Sequence, residues 1–191
     1  MKPSIALAAL VVATLPAAQA ATTTYRTALA PEVAGATGSG AVQLIYDDVA
    51  HTLAIDSWFS GLSGTTTVAH IHCCVVTPGV GTVGVAVTPG TLPGFPTGVS
   101  SASYAVTLDL TQSATFTAGF VNTFAGGVLT NAEGVLVAGL NAGTAYFNVH
   151  STTFGGGEIR GFLAPIPEPS TYALMALGMA AVGVAARRRR G

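Results

Sequence analysis

From about residue 22 to residue 164 the chain alternates between apolar and polar positions in short runs. The clearest is Ser103 to Leu110, with Tyr104, Val106, Leu108 and Leu110 on one side and Ser103, Thr107 and Asp109 on the other. Successive side chains on a strand point to opposite faces, so this pattern predicts a strand with one buried face. The same reading gives strands over Tyr25–Ala30, Ala41–Asp47, Thr52–Ser60, Thr66–His72, Gly84–Thr88, Thr144–His150 and Glu158–Leu163. Turn chemistry separates them: a Gly-rich stretch at Gly35–Gly40, the Asp47-Asp48 pair, and a Gly- and Pro-rich loop over Gly79–Gly98. One segment departs from period two. Ala132, Val135, Leu136 and Leu140 recur at helical spacing, which predicts one short helix over Asn131–Leu140, with Asn131 as N-cap and Gly143 just past its end. The expected architecture is all-β: a single antiparallel sandwich or barrel-like domain with one short helix.

The two ends read differently. Met1 and Lys2 precede an apolar run, Ile5 to Leu15, and then Ala18-Gln19-Ala20, a small-x-small cleavage site. That order predicts a secretory signal peptide over 1–20, cut after Ala20. At the other end, Tyr172 to Ala186 carries no charge and Arg187 to Arg190 follow at once. Fifteen helical residues reach roughly 22 Å, less than the ~30 Å hydrocarbon core of a bilayer. Four arginines are expected to hold that end on the cytoplasmic side, with the body of the protein across the membrane from them. The chain thus divides into 1–20, a domain over 21–164, and a tail over 165–191.

Charge narrows the choice of partners. Between Ala21 and Ala164 seven acidic residues stand against Arg26 and Arg160, a net charge near −5, and no lysine follows Lys2. This excludes a basic stripe for nucleic acid. The arginines of the tail are a topology signal.

Candidate chemistry gathers on three strands. His70 and His72 share a face opposite Ile71; Tyr146, Asn148 and His150 share a face opposite Phe147 and Val149; Glu158 and Arg160 flank Ile159. If these strands are neighbours, three imidazoles meet. His-x-His with a third histidine can bind a borderline ion such as Cu or Zn. Asn148, Glu158 and Arg160 would support the ring positions, with Glu158 orienting an imidazole and pairing with Arg160. The competing expectation is a purely structural network, in which the histidines hydrogen-bond Asn148, Glu158 and the backbone. Cys73 and Cys74 follow His72 directly. An exported protein favours a disulfide. A vicinal bridge, free thiols, bonds between chains, and thiolate ligation by Cys74 beside His70 and His72 all remain open. No nucleophile constellation appears, and no catalytic residue is assigned. Trp58 and Phe59 are either core or a sugar-stacking surface.

The blocks Ala69-His70-Ile71-His72 and Ala145 to Leu163 (AYFNVHSTTFGGGEIRGFL) resemble the CHRD domain family, as does Gly94 to Leu110 (GFPTGVSSASYAVTLDL). The resemblance implies a sandwich-like all-β domain with the two histidine blocks close in space, and little about activity. The chain lacks the cysteine-rich modules that accompany growth-factor binding in animal members, so that function does not carry over. Pro167-Glu168-Pro169, the apolar stretch and the arginine run resemble the PEP-CTERM sorting signal. This implies an exosortase-type processing enzyme as partner, passage through or anchoring in the inner membrane, and a destination at the cell surface or in exopolysaccharide. Two functions are expected: a non-enzymatic surface or matrix module that binds exopolysaccharide or other surface proteins, or a Cu- or Zn-binding domain with a possible redox role at His70, His72 and His150.

Overall fold

The computed structural model describes residues 22–166 and, in the tail, positions 176–179, 182 and 187. The expected signal-cleavage residues Ala18 and Ala20 and the tripeptide Pro167, Glu168 and Pro169 lie outside the described residues.

Nine strands form one curled, antiparallel sheet. They are β1 (Thr22–Pro31), β2 (Ser39–Asp47), β3 (Thr52–Ser60), β4 (Thr66–His72), β5 (Val85–Val87), β6 (Ala102–Asp109), β7 (Tyr146–Ser151), β8 (Ile159–Phe162) and β9 (Ala164–Pro165). Their order is β5-β4-β7-β8-β1-β2-β3-β6, with β9 beside the first half of β1. β1 therefore joins two halves. Its residues Thr22–Leu29 pair with β2, and its end, at Ala30 and Pro31, pairs with Arg160 and Ile159 of β8.

The curl encloses one core. Tyr25, Leu29, Val42, Leu44, Leu53, Ile55 and Phe59 line the β1–β3 side, and Ile71, Phe147, Val149 and Ile159 line the β4–β7–β8 side. Each such side chain stabilises the fold by about 1.5–3 kcal/mol relative to exposure. Helix α2 (Leu129–Asn141) adds Ala132, Leu136 and Leu140 to that core. Two tyrosines fasten it to the sheet: Tyr25 donates to Asn141 Oδ1 at 2.9 Å, and Tyr46 to Glu133 Oε1 at 2.7 Å.

The expected strands are all present, but the helical part differs. α2 begins two residues earlier than expected, and Val128, not Asn131, is its N-cap, without a side-chain cap. Asn131 lies within the first turn, and its amide donates to the Ala125 carbonyl at 3.3 Å. A second helix, α1 (Ala118–Phe124), follows a single 3-10 turn at Ser113–Thr115. Thr117 caps α1: its Oγ1 accepts from Phe120 N–H at 3.1 Å and donates to the Val85 carbonyl of β5 at 2.5 Å. Among the described residues no single helix is long and apolar enough to cross a membrane.

Candidate metal centre

Antiparallel pairing of β4 with β7 sets His70 opposite Asn148 and His72 opposite Tyr146; β7 with β8 sets Asn148 opposite Arg160 and Tyr146 opposite Phe162. Ile71 lies opposite Phe147 and Val149 opposite Ile159, all four pointing into the core. Strand alternation then puts the polar partners together on the other face. His70 and His72 are buried there and His150 is half-buried.

Each imidazole is held by a different loop. His70 Nε2 lies 2.9 Å from the Gly90 carbonyl, His72 Nδ1 2.8 Å from the Val83 carbonyl, and His150 Nδ1 2.9 Å from the Gly155 carbonyl. A carbonyl only accepts, so in each ring the bonded nitrogen carries the proton. In the neutral rings the second nitrogens are bare lone pairs: His70 Nδ1, His72 Nε2 and His150 Nε2. One ligand atom from each of the three rings lies within 4.8 Å of the other two. His70 Nδ1 and His150 Nε2 are 3.4 Å apart, and His72 Nε2 is buried without a hydrogen-bond partner. Two facing lone pairs repel unless a cation or proton stands between them. Burial pushes the pKa of His70 down and that of His72 down to about 4, with the Val83 carbonyl acting against the shift for His72 and the Gly90 carbonyl against it for His70. Both rings are therefore neutral near pH 7, the state in which imidazole binds a metal.

Aromatic and cationic groups wall the site. The His72 ring stacks on Tyr146 with centroids 4.5 Å apart and planes 5° from parallel. The Arg160 guanidinium lies 5.2 Å from the Tyr146 centroid and 5.4 Å from that of Phe162, and donates to the Gly81 carbonyl at 2.9 Å. His72, Tyr146 and Arg160 thus all bond the loop between Gly81 and Val83.

Residues 18–163 match the family model of the CHRD domain, and residues 165–190 match that of the PEP-CTERM protein-sorting motif. The chain belongs to the CHRD domain family. No curated protein and no solved structure matches it. Its PEP-CTERM motif is a signal for export toward the cell surface and for processing by an exosortase-type sorting system. The CHRD domain is a binding module, and neither family is one of enzymes.

Of the three side chains expected to support the imidazoles, Glu158 bonds elsewhere, while Arg160 and Asn148 are held by a carboxylate that was not expected there. Glu158 is fully buried and hydrogen-bonds no histidine. Its Oε1 accepts the Ser63 backbone N–H at 2.5 Å. Burial opposes its ionisation, but the Ser63 hydrogen bond and the polar groups of Ser151 and Thr37 outweigh it and hold its carboxyl below the usual range, although Oε2 has no hydrogen-bond partner. Arg160 pairs not with Glu158 but with Glu32, at 3.1 Å. Asn148 donates to the other Glu32 oxygen at 2.5 Å. Glu32 escaped the sequence reading because it follows Pro31 at the end of β1. Only the β1–β8 junction, where Glu32 N–H also bonds the Glu158 carbonyl at 2.9 Å, carries it here. The loop carbonyls that orient the rings have no sequence signature at all.

Cys73 and Cys74 are joined as a vicinal disulfide across a cis peptide bond, with their Cα atoms 3.0 Å apart. The bond leaves no thiolate, so Cys74 is not a ligand of the histidine cluster. Both sulfurs lie against Gly139 of α2, where a Cβ would collide with them.

Proposed function

We propose that this exported CHRD domain works at the cell surface or in the surrounding exopolysaccharide as a non-enzymatic binding module, and that His70, His72 and His150 hold one Cu or Zn ion. The observation that carries the metal reading is that one nitrogen from each of the three rings lies within 4.8 Å of the other two while every ring donates its N–H to a backbone carbonyl. Donation of the second N–H to a carbonyl is the usual way a metal-binding imidazole is oriented and made more basic. A structural network alone would pair these nitrogens with donors, and His72 Nε2 has none. Copper would make one-electron chemistry available at the site; zinc would be structural or stored.

The test is metal content. The exported protein is purified without a histidine tag from periplasm supplied with copper and zinc. About one ion per chain is expected, lost in folded His70→Ala and His150→Ala variants. Metal-free protein whose variants unfold would make the cluster structural and leave surface binding alone.

A further inference from the structure

The outer face of β1, β2, β3 and β6 carries a second constellation, on other strands than the three clustered histidines. Register across the sheet makes three rungs: Ala28–Ala41–Trp58–Ser103, Arg26–Gln43–Asp56–Ala105, and Thr24–Ile45–Ala54–Thr107. Trp58 is 48% exposed although its neighbour Phe59 is 2% exposed and in the core. Ala41 beside Trp58, and Ala28 beyond it on the same rung, leave a cleft of about 560 Å³ lined by the indole and by Arg26, Gln43 and Asp56. A second hollow of about 390 Å³ shares Gln43 and Asp56 and continues over Ala54, Ala105 and Thr107 toward β6. The two together make a trough across four strands.

We propose that this trough binds a polysaccharide chain, with Trp58 as its stacking platform and the Arg26–Gln43–Asp56 rung as its hydroxyl-reading element. A sugar ring presents an apolar C–H face and an equatorial belt of hydroxyls. The flat indole suits the first. The belt needs donors and acceptors side by side: Asp56 accepts, Arg26 donates and Gln43 does both. Arg26 Nε already donates to Gln43 Oε1 at 2.6 Å, which holds both planar groups and leaves the Gln43 amide nitrogen and the remaining guanidinium N–H groups for a ligand. Neighbouring strands are ~4.8 Å apart and alternate residues along a strand ~6.7 Å apart, so a ring over Trp58 has its hydroxyl edge at the Gln43 and Asp56 rung. A nucleic acid or other polyanion is disfavoured by Asp56 and by the acidic excess of the domain. Cleavage of the bound chain is not expected, because glycoside hydrolysis uses two flanking carboxylates and Asp56 is the only one lining either hollow.

This inference rests on the surface-and-matrix half of the function proposed above and is independent of the metal. Trp58 is the sole tryptophan of the chain, so its fluorescence reports on the trough directly. The full exported protein is titrated with cello-, manno- and chito-oligosaccharides, dextran and polygalacturonate, and the same polymers are set in native affinity gels. Saturable change in Trp58 emission and gel retardation are expected with at least one neutral glycan. Affinity in the gel should fall about tenfold or more in Trp58→Ala and weaken in Asp56→Asn, while a change at fully exposed Val76, Val76→Ala, binds as the parent does. No response to any of these polymers, or binding undiminished in Trp58→Ala and Asp56→Asn, overturns the proposal. Fractionation of cells separates the two readings: a Trp58→Ala chain that stays in the matrix with the parent removes the trough as the matrix contact but leaves the matrix location standing. A parent chain found outside the matrix, but which binds a glycan in the gel, removes the location and leaves the trough.

Discussion

Arg160 and Glu32 meet at 3.1 Å across the junction of β1 and β8, and the same carboxylate takes the Asn148 amide. One acid thus holds both a cation and an amide of the wall behind the imidazoles. Glu32→Ala would leave a half-buried guanidinium and a buried amide short of their acceptor, at a cost of about 2–3 kcal/mol. Urea unfolding checks this. Glu32→Gln should recover part of the loss through the amide contact, and equal midpoints for all three proteins would refute the role.

Two glycines on α2 should respond in opposite directions to the same substitution. At Gly139 a Cβ would overlap the Cys73 and Cys74 sulfurs, so Gly139→Ala should destabilise by about 1–3 kcal/mol. At Gly134 nothing lies within 4 Å, so Gly134→Ala should stabilise by about 0.5–1 kcal/mol through helix propensity. Thermal melts of the pair test it.

The His51–Glu133 ion pair, 2.9 Å long, ties the β2–β3 turn to α2. Its hydrogen bond to Glu133, and then the charge of that carboxylate, raise the His51 pKa above the usual value near 6.5. A raised folded pKa means the pair contributes fully below the unfolded value and is lost as pH rises through the folded one. Proton NMR should find His51 titrating above 6.5 and returning toward it in Glu133→Gln. A His51 unmoved by that substitution would refute the pairing.

His70 and His72 act in the opposite sense. Their folded pKa values are lowered by burial, that of His72 to about 4. The unfolded rings take up protons first as pH falls below about 6.5, so the metal-free domain should lose stability between that pH and about 4. Denaturation midpoints against pH check this. In a folded His72→Phe variant that limb should flatten.

Much of this was legible from alternation alone. Thr52–Ser60 is a strand over the expected residues because a half-buried strand imposes period two on its sequence, whereas Thr66–His72, also a strand over the expected residues, is buried on both faces from Ala69 to His72. The grouping of His70, His72 and His150 could be inferred once their strands were taken as neighbours. What closes the site could not. Val83, Gly90 and Gly155 contribute only carbonyls, which any residue has. Glu32 comes from the far end of the chain through one short junction. α1 was hidden because seven residues give too few turns to show a period, and only Phe120 among them is buried. Trp58 stayed ambiguous beside Phe59 until the register put one outside and the other inside.

The placement of β1 also decides when the domain can finish folding and how it bears a load. Its free edge is filled only by β8 and β9, the last strands to be made, and Ile166 N–H still reaches back to the Thr24 carbonyl at 2.8 Å. No partly translocated chain can complete the sheet, so the domain matures only after nearly all of it has crossed the membrane. β9 pairs with β1 only at Tyr25–Pro165 and Arg26–Ala164, against eight pairs between β1 and β2, so a pull on the chain beyond Ile166 would load the short ladder first and spare the long one.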